Sequence, residues 1–184
     1  NTTGQYNTAI GYESLSANTT ADENTALGSF TLRYNTEGGN NTAAGYKALE
    51  DNTTASNNTA FGFEALNANT TGTANTAVGK DALKLNTTAD NNTAMGFDAL
   101  EQNTTGGSNA AFGAYALASV TTGDQNTAVG RGALSDNTGS QNTAVGYNAL
   151  TSNTSASGLT AVGRRALELN TTGSNNTAVG SSAL

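Results

Sequence analysis

The chain has 184 residues, 14 acidic and 7 basic, giving a formal charge of −7, and contains no His, Cys, Trp or Pro. Without His and Cys it lacks the commonest general base, the usual zinc ligands, the thiol nucleophile and any disulfide framework. Residues 1–101 hold eleven acids against Arg33, Lys47, Lys80 and Lys84, and the remainder balances. No basic stripe for nucleic acid is present, and no stretch reaches the ~18 apolar residues of a membrane span.

One unit recurs from end to end. The glycines of an Asn-Thr-Ala-φ-Gly motif (φ apolar) fall at Gly11, Gly28, Gly45, Gly62, Gly79, Gly96, Gly113, Gly130, Gly146, Gly163 and Gly180. Every interval is 17 residues except Gly130 to Gly146, which is 16. A short fixed period means that each unit buries its apolar face against its neighbours, so the product is a rod.

Within a unit, counted from the Asn of the motif, positions 2 to 4 alternate with the period of a strand. Thr and φ lie on one side and Ala on the other. The Gly at position 5 suits a corner. An Ala-Leu pair at positions 8 and 9 opens a second extended segment, with a single helical turn as the competing reading. Asn-Thr-Thr-Gly or Asn-Thr-Thr-Ala at positions 12 to 15 brings the chain round again. One coil is therefore expected to hold two short strands and two turns. The expected fold is an all-β parallel β-solenoid (a β-roll) of about eleven coils, spanning 1–184 as one repeat array without visible caps, read as part of a longer chain.

Comparison between copies separates fixed rows from variable ones. Position 3 is Ala in all eleven units, beginning Ala9, Ala26, Ala43, Ala60 and Ala77. Position 9 is always Leu, beginning Leu15, Leu32, Leu49, Leu66 and Leu83, and the glycine row begins Gly11, Gly28, Gly45, Gly62 and Gly79. These three rows are the structural ladders. An Ala that never grows on the face opposite φ points to a close neighbour there, so several identical rods are expected to pack side by side in a closed assembly such as a trimer. Position 12 is Asn except Val120, and position 1 is Asn except Leu159, so these sites are read as enclosed and laddered up the rod.

The variable positions carry little chemistry. The carboxylates sit at scattered positions, and a uniform rod offers no cleft across which two could cooperate. Tyr12, Tyr46, Phe63, Phe97 and Tyr147 follow the corner glycine at position 6. Packing over the corner outweighs a stacking surface for a glycan there, because Lys80, Arg131 and Arg164 fill the same position. Twelve Asn-x-Ser/Thr sequons follow from the repeat itself, and enclosed Asn rows would close most of them to glycosylation.

The Asn-Thr-Ala-Val-Gly-Tyr-Asn-Ala-Leu stretch at 142–150 resembles repeats of bacterial trimeric surface adhesins and phage tail fibres. It is also similar to the head repeat of trimeric autotransporter adhesins, whose Ala-Ile-Gly core Ala9-Ile10-Gly11 reproduces. Those heads commonly use a shorter unit. The resemblance implies a left-handed parallel β-roll of three chains packed side by side.

The function expected is that of a structural or adhesive shaft or head of an extracellular fibre, on a cell surface or virion, attaching to a receptor or glycan. The partners expected are two further copies, or a homopolymer. An open-ended filament is the first alternative. An ice-binding solenoid is the second, on the row Thr8, Thr25, Thr42, Thr59, Thr76 and Thr93, which Ala110 interrupts. No enzyme activity, cofactor, metal or nucleic acid is expected.

Overall fold

The computed structural model describes residues 1–184 and is a single all-β solenoid without helices. Eleven three-residue strands pair in sequential order as one parallel sheet: β1 Thr8–Ile10, β2 Thr25–Leu27, β3 Thr42–Ala44, β4 Thr59–Phe61, β5 Thr76–Val78, β6 Thr93–Met95, β7 Ala110–Phe112, β8 Thr127–Val129, β9 Thr143–Val145, β10 Thr160–Val162 and β11 Thr177–Val179. Equivalent residues stack on one another throughout, for example Thr76 on Thr93 and Ala77 on Ala94. The 16-residue interval does not disturb this register, since Thr127 still faces Thr143. The missing residue is absorbed in the turn at 136–139, where Asn137 donates to the carbonyl of Gly139 two residues on.

Each coil has one strand, not two. Positions 6 to 11 form turns, in which positions 7 and 9 are left-handed: Phe30 and Leu32 have φ of 61° and 50°, Lys47 and Leu49 of 56° and 54°. Neither a second strand nor a helical turn survives at the Ala-Leu pair. A bulky Leu in this conformation costs about 1–2 kcal/mol, so something must compensate. Alternating the handedness aims successive peptide groups up and down the rod. The Phe30 amide donates to the Tyr12 carbonyl in the coil before, and the Leu32 amide to the Ala48 carbonyl in the coil after. The ladder thus runs on through the turn: of 119 backbone hydrogen bonds, 99 lie outside the strands.

The core is a stack of small and medium side chains. Ala26, Ala43, Ala60 and Ala77 of the strands are fully buried, as are Leu32, Leu49, Leu66 and Leu83 of the turns, with Ala48, Ala65 and Ala82 between them. This reverses the expected sidedness of the strand. Ala points inward, and Thr with φ points outward; Phe61 is 42% exposed and Val129 39%. Position 3 stays Ala because the coil's own opposite wall, carrying the Leu row, is close. The Ala row therefore says nothing about partner chains, and the apolar row left uncovered is position 4.

The corner glycine is forced by geometry. At Gly79 φ is +137°, and a Cβ there would lie 2.4 Å from the carbonyl oxygen of Gly96. The same clash recurs at each corner from Gly11 to Gly163, so successive coils meet backbone to backbone at this point.

Candidate functional site

Two amide ladders run inside the rod. At position 12, Asn52 Nδ2 donates to Asn35 Oδ1 at 2.7 Å and to its own coil's Ala55 carbonyl at 2.9 Å. At position 1, Asn58 Nδ2 donates to the Gly72 carbonyl, and its Oδ1 accepts from the Asn75 amide, both at 2.9 Å. These side chains are fully buried, and they satisfy the backbone groups that the turn leaves without strand partners. Position 13 adds a third row, as when Thr53 Oγ1 donates to the Thr70 carbonyl at 3.1 Å. All three rows are structural. The sequon residues Asn52, Asn69, Asn86 and Asn103 lie in the first ladder and are closed to a glycan, whereas Asn40, Asn57 and Asn91 at position 17 are exposed.

Val120 marks a fault in the position-12 ladder. It has no amide to offer Asn103, whose Oδ1 is buried without a partner. Asn103 still donates upstream to Asn86 Oδ1 and locally to the Gly106 carbonyl, both at 2.9 Å. Substituting Val120→Asn is expected to restore the donor and raise stability by about 1 kcal/mol, read as a higher urea midpoint with unchanged slope. A lower midpoint would show that the packing of Val120 outweighs the lost hydrogen bond.

The outer surface has two continuous features. The first is the sheet face, with φ in every coil at position 4 and Thr or Ala110 at position 2, and no charge in either row. Thr25, Thr42, Thr59, Thr76 and Thr93 are half-buried, and their hydroxyls donate to no protein group, unlike those of position 13. The face is uneven, since φ varies from Ala44 to Phe61 and Phe112.

The second feature follows the corner. Rings at positions 6 and 7 contact rings of adjacent coils: Tyr12 and Phe30 at 5.4 Å, Phe30 and Tyr46 at 5.8 Å, Tyr46 and Phe63 at 5.3 Å. Cations fill the gaps in this row. Lys80 lies between Phe63 and Phe97, and Arg131 between Tyr115 and Tyr147, at 5.1–5.9 Å from the ring centroids. The expectation of packing over the ring's own corner is thus replaced by packing along the rod.

Ion pairs gather on the neighbouring turn surface of the first half. Arg33 pairs with Glu13 at 2.6 Å, Lys47 with Glu50 at 3.2 Å and Lys84 with Glu64 at 2.6 Å, and Lys80 pairs with Asp81. The hydrogen bonds to Glu50, Asp81 and Glu64 raise the Lys47, Lys80 and Lys84 ammonium groups above their ordinary value of 10.5. Partial burial, reinforced by neighbouring acids, pushes Asp51, Asp98 and Glu101 above their ordinary 3.8 and 4.5. A carboxyl whose folded pKa is raised binds its proton more tightly folded than unfolded. These three therefore oppose folding at neutral pH and cease to do so as pH falls through their raised values. Urea unfolding is expected to show a midpoint at pH 5 no lower than at pH 7, and Asp98→Asn to raise the midpoint at pH 7. A midpoint that falls between pH 7 and pH 5 would reject this.

No three acidic side chains converge as a metal-binding group. The one concavity, lined by Leu167, Leu169, Asn170, Asn176 and Leu184, is the open stacking surface of the final coil. Residues equivalent to its lining are covered in earlier coils by the coil that follows. No family model, curated protein or solved structure matches the chain.

Proposed function

We propose that this chain is a rigid section of an extracellular attachment fibre, in which three copies pack side by side through their sheet faces. The observation that carries the reading is the outward row at position 4. It is apolar in all eleven coils, about two-fifths exposed in the middle of the rod, and flanked by an uncharged row at position 2. A continuous uncharged, apolar strip of this kind is unusual on a free surface. A second copy has the same strip at the same repeat, so ladder meets ladder along the full length without any need for a special complementary surface. Closed packing about the long axis covers the strip in every copy.

The rest of the molecule suits such a role. Its groups with catalytic potential are scattered carboxylates and ion-paired lysines, and its one continuous secondary element runs the length of the rod. Sedimentation equilibrium is expected to give three times the chain mass of 18.4 kDa. Replacing Val129 and Val145 together by Glu is expected to shift the species to the monomer. A wild-type monomer at micromolar concentration overturns the assembly.

Ice binding remains the second reading, because the position-2 hydroxyls are free of internal partners. The variation of φ from Ala to Phe counts against it, since an ordered-water surface needs a repeated outline. A thermal-hysteresis measurement decides this directly.

A further inference from the structure

Five of the seven cations are neutralised by neighbouring carboxylates: Arg33, Lys47, Lys80 and Lys84 as above, and Arg165 by Glu168 at 3.4 Å. Arg131 and Arg164 have no acidic partner, and both are exposed. They occupy the same row, position 6, two coils apart, with Tyr147 between them. That row holds no acid in any of its eleven copies, and from Tyr115 onward position 7 holds none either. The half of the chain that holds it is balanced, with Asp124, Asp136 and Glu168 against Arg131, Arg164 and Arg165, so this acid-free strip is locally basic.

The geometry is partly organised in advance. Arg131 lies over the Tyr147 ring with its guanidinium carbon 5.9 Å from the centroid, and its Nη1 donates to the Tyr147 hydroxyl at 3.5 Å. Arg164 makes no such ring contact, so Tyr147 keeps one face that no cation covers. Because the coils stack in register, the two arginine positions are offset along the rod by about 10 Å, twice the ~4.8 Å strand spacing. The arrangement is two guanidinium groups that can each grip a carboxylate or sulfate in bidentate fashion, with an aromatic ring between them.

We infer that Arg131, Tyr147 and Arg164 bind an acidic polysaccharide with one carboxylate or sulfate per disaccharide. This rests on the attachment role and gives its ligand class. An extended glycan of that kind lays alternate sugars on the two arginines and the intervening uncharged sugar on Tyr147. A nucleic acid fits less well. Its affinity comes from neutralising many consecutive phosphates, and two free cations on a chain of charge −7 cannot do so.

The full chain is titrated calorimetrically with hyaluronan oligosaccharides, which carry a carboxylate on every disaccharide, with monosulfated keratan oligosaccharides, which carry a sulfate on every disaccharide and no carboxylate, and with neutral cello-oligosaccharides. Both acidic probes are expected to bind at low ionic strength and to be released near ~0.5 M salt, while the neutral probe does not bind. Arg131→Gln and Arg164→Gln are each expected to weaken binding about tenfold, and Tyr147→Ala to weaken it as well. The ion-paired Lys80 serves as a control, and Lys80→Gln is expected to leave binding unchanged. All four positions are exposed ridge sites, and an unaltered circular dichroism spectrum establishes that each variant is folded.

Equal binding of the neutral probe, survival of binding in the double arginine variant, or equal competition by inorganic polyphosphate overturns the inference. A trimer that binds neither acidic probe sinks this inference and leaves the assembly standing. A monomer that binds through these residues does the reverse.

Discussion

Gly79→Ala is expected to destabilise the rod by at least about 3 kcal/mol, and the other corner glycines stand for the same effect. Two independent costs combine. The backbone at Gly79 has φ of +137°, a region that side-chain-bearing residues rarely enter, and the new Cβ would lie 2.4 Å from the Gly96 carbonyl oxygen and 2.7 Å from its carbon. Neither atom can move aside, because both belong to the backbone of the next coil, which is tied to its own neighbours. In a solenoid this loss falls on one nearest-neighbour interface, so unfolding should also lose cooperativity, with the two halves melting separately.

Gly107→Ala provides the control. Gly107 occupies position 16, where other coils carry Ser, Thr or Asp, and its nearest contact for a Cβ is the Asp90 carbonyl oxygen at 3.3 Å. That substitution is expected to change stability by less than about 1 kcal/mol. Urea titrations followed by circular dichroism compare the two, and similar midpoints for both variants would reject the corner clash.

Asn86→Ala ranks second. Asn86 Nδ2 donates to Asn69 Oδ1 at 2.9 Å and to the Ala89 carbonyl at 3.1 Å, while its Oδ1 accepts from Asn103. Removing the amide leaves buried partners on both adjacent coils unpaired and opens a cavity within the stack. Each unsatisfied buried group costs about 1–3 kcal/mol, so a loss of about 3 kcal/mol is expected. Asn86→Val should cost less, because the chain already accommodates Val120 at this position with only Asn103 Oδ1 orphaned. Finding the two variants equally stable would mean that volume is immaterial and that the amide alone sets the cost.

Much of this architecture is legible in the residues. The period of Asn-Thr-Ala-φ-Gly dictates a stack of identical coils, and the alternation of Thr, Ala and φ places the strands within a residue of where they lie. Val120 and Leu159, apolar intruders in Asn rows, announce that those rows are enclosed. A repeat reports such things well because eleven copies expose which positions tolerate change.

The conformation of the turn was less legible. Positions 7 and 17 carry a weak signal, since Asn, Asp and Gly recur there, as at Asn57, Asn91, Asn148, Gly132 and Gly158. The Leu row carries none. A Leu with φ near +52° is unfavourable locally and persists only because its amide and carbonyl find partners on neighbouring coils. That compensation exists in the stack and in no single unit, so the second strand expected at the Ala-Leu pair is a left-handed turn.

The sidedness of the strand was decided in the same way. Alternation establishes that Ala and φ face opposite ways but not which faces inward. Size argues for the larger residue inside, yet the Leu row rises from the opposite wall and leaves room for only a methyl group. The sequence by itself determined the period, the parallel stacking and the enclosed amide ladders, because these depend on repetition. Tertiary structure alone decided that Ala lies inside, that φ forms the outer strip, and that Arg131 and Arg164 remain unpaired beside Tyr147. Those outcomes depend on distances between coils and across the narrow core, which no single coil specifies.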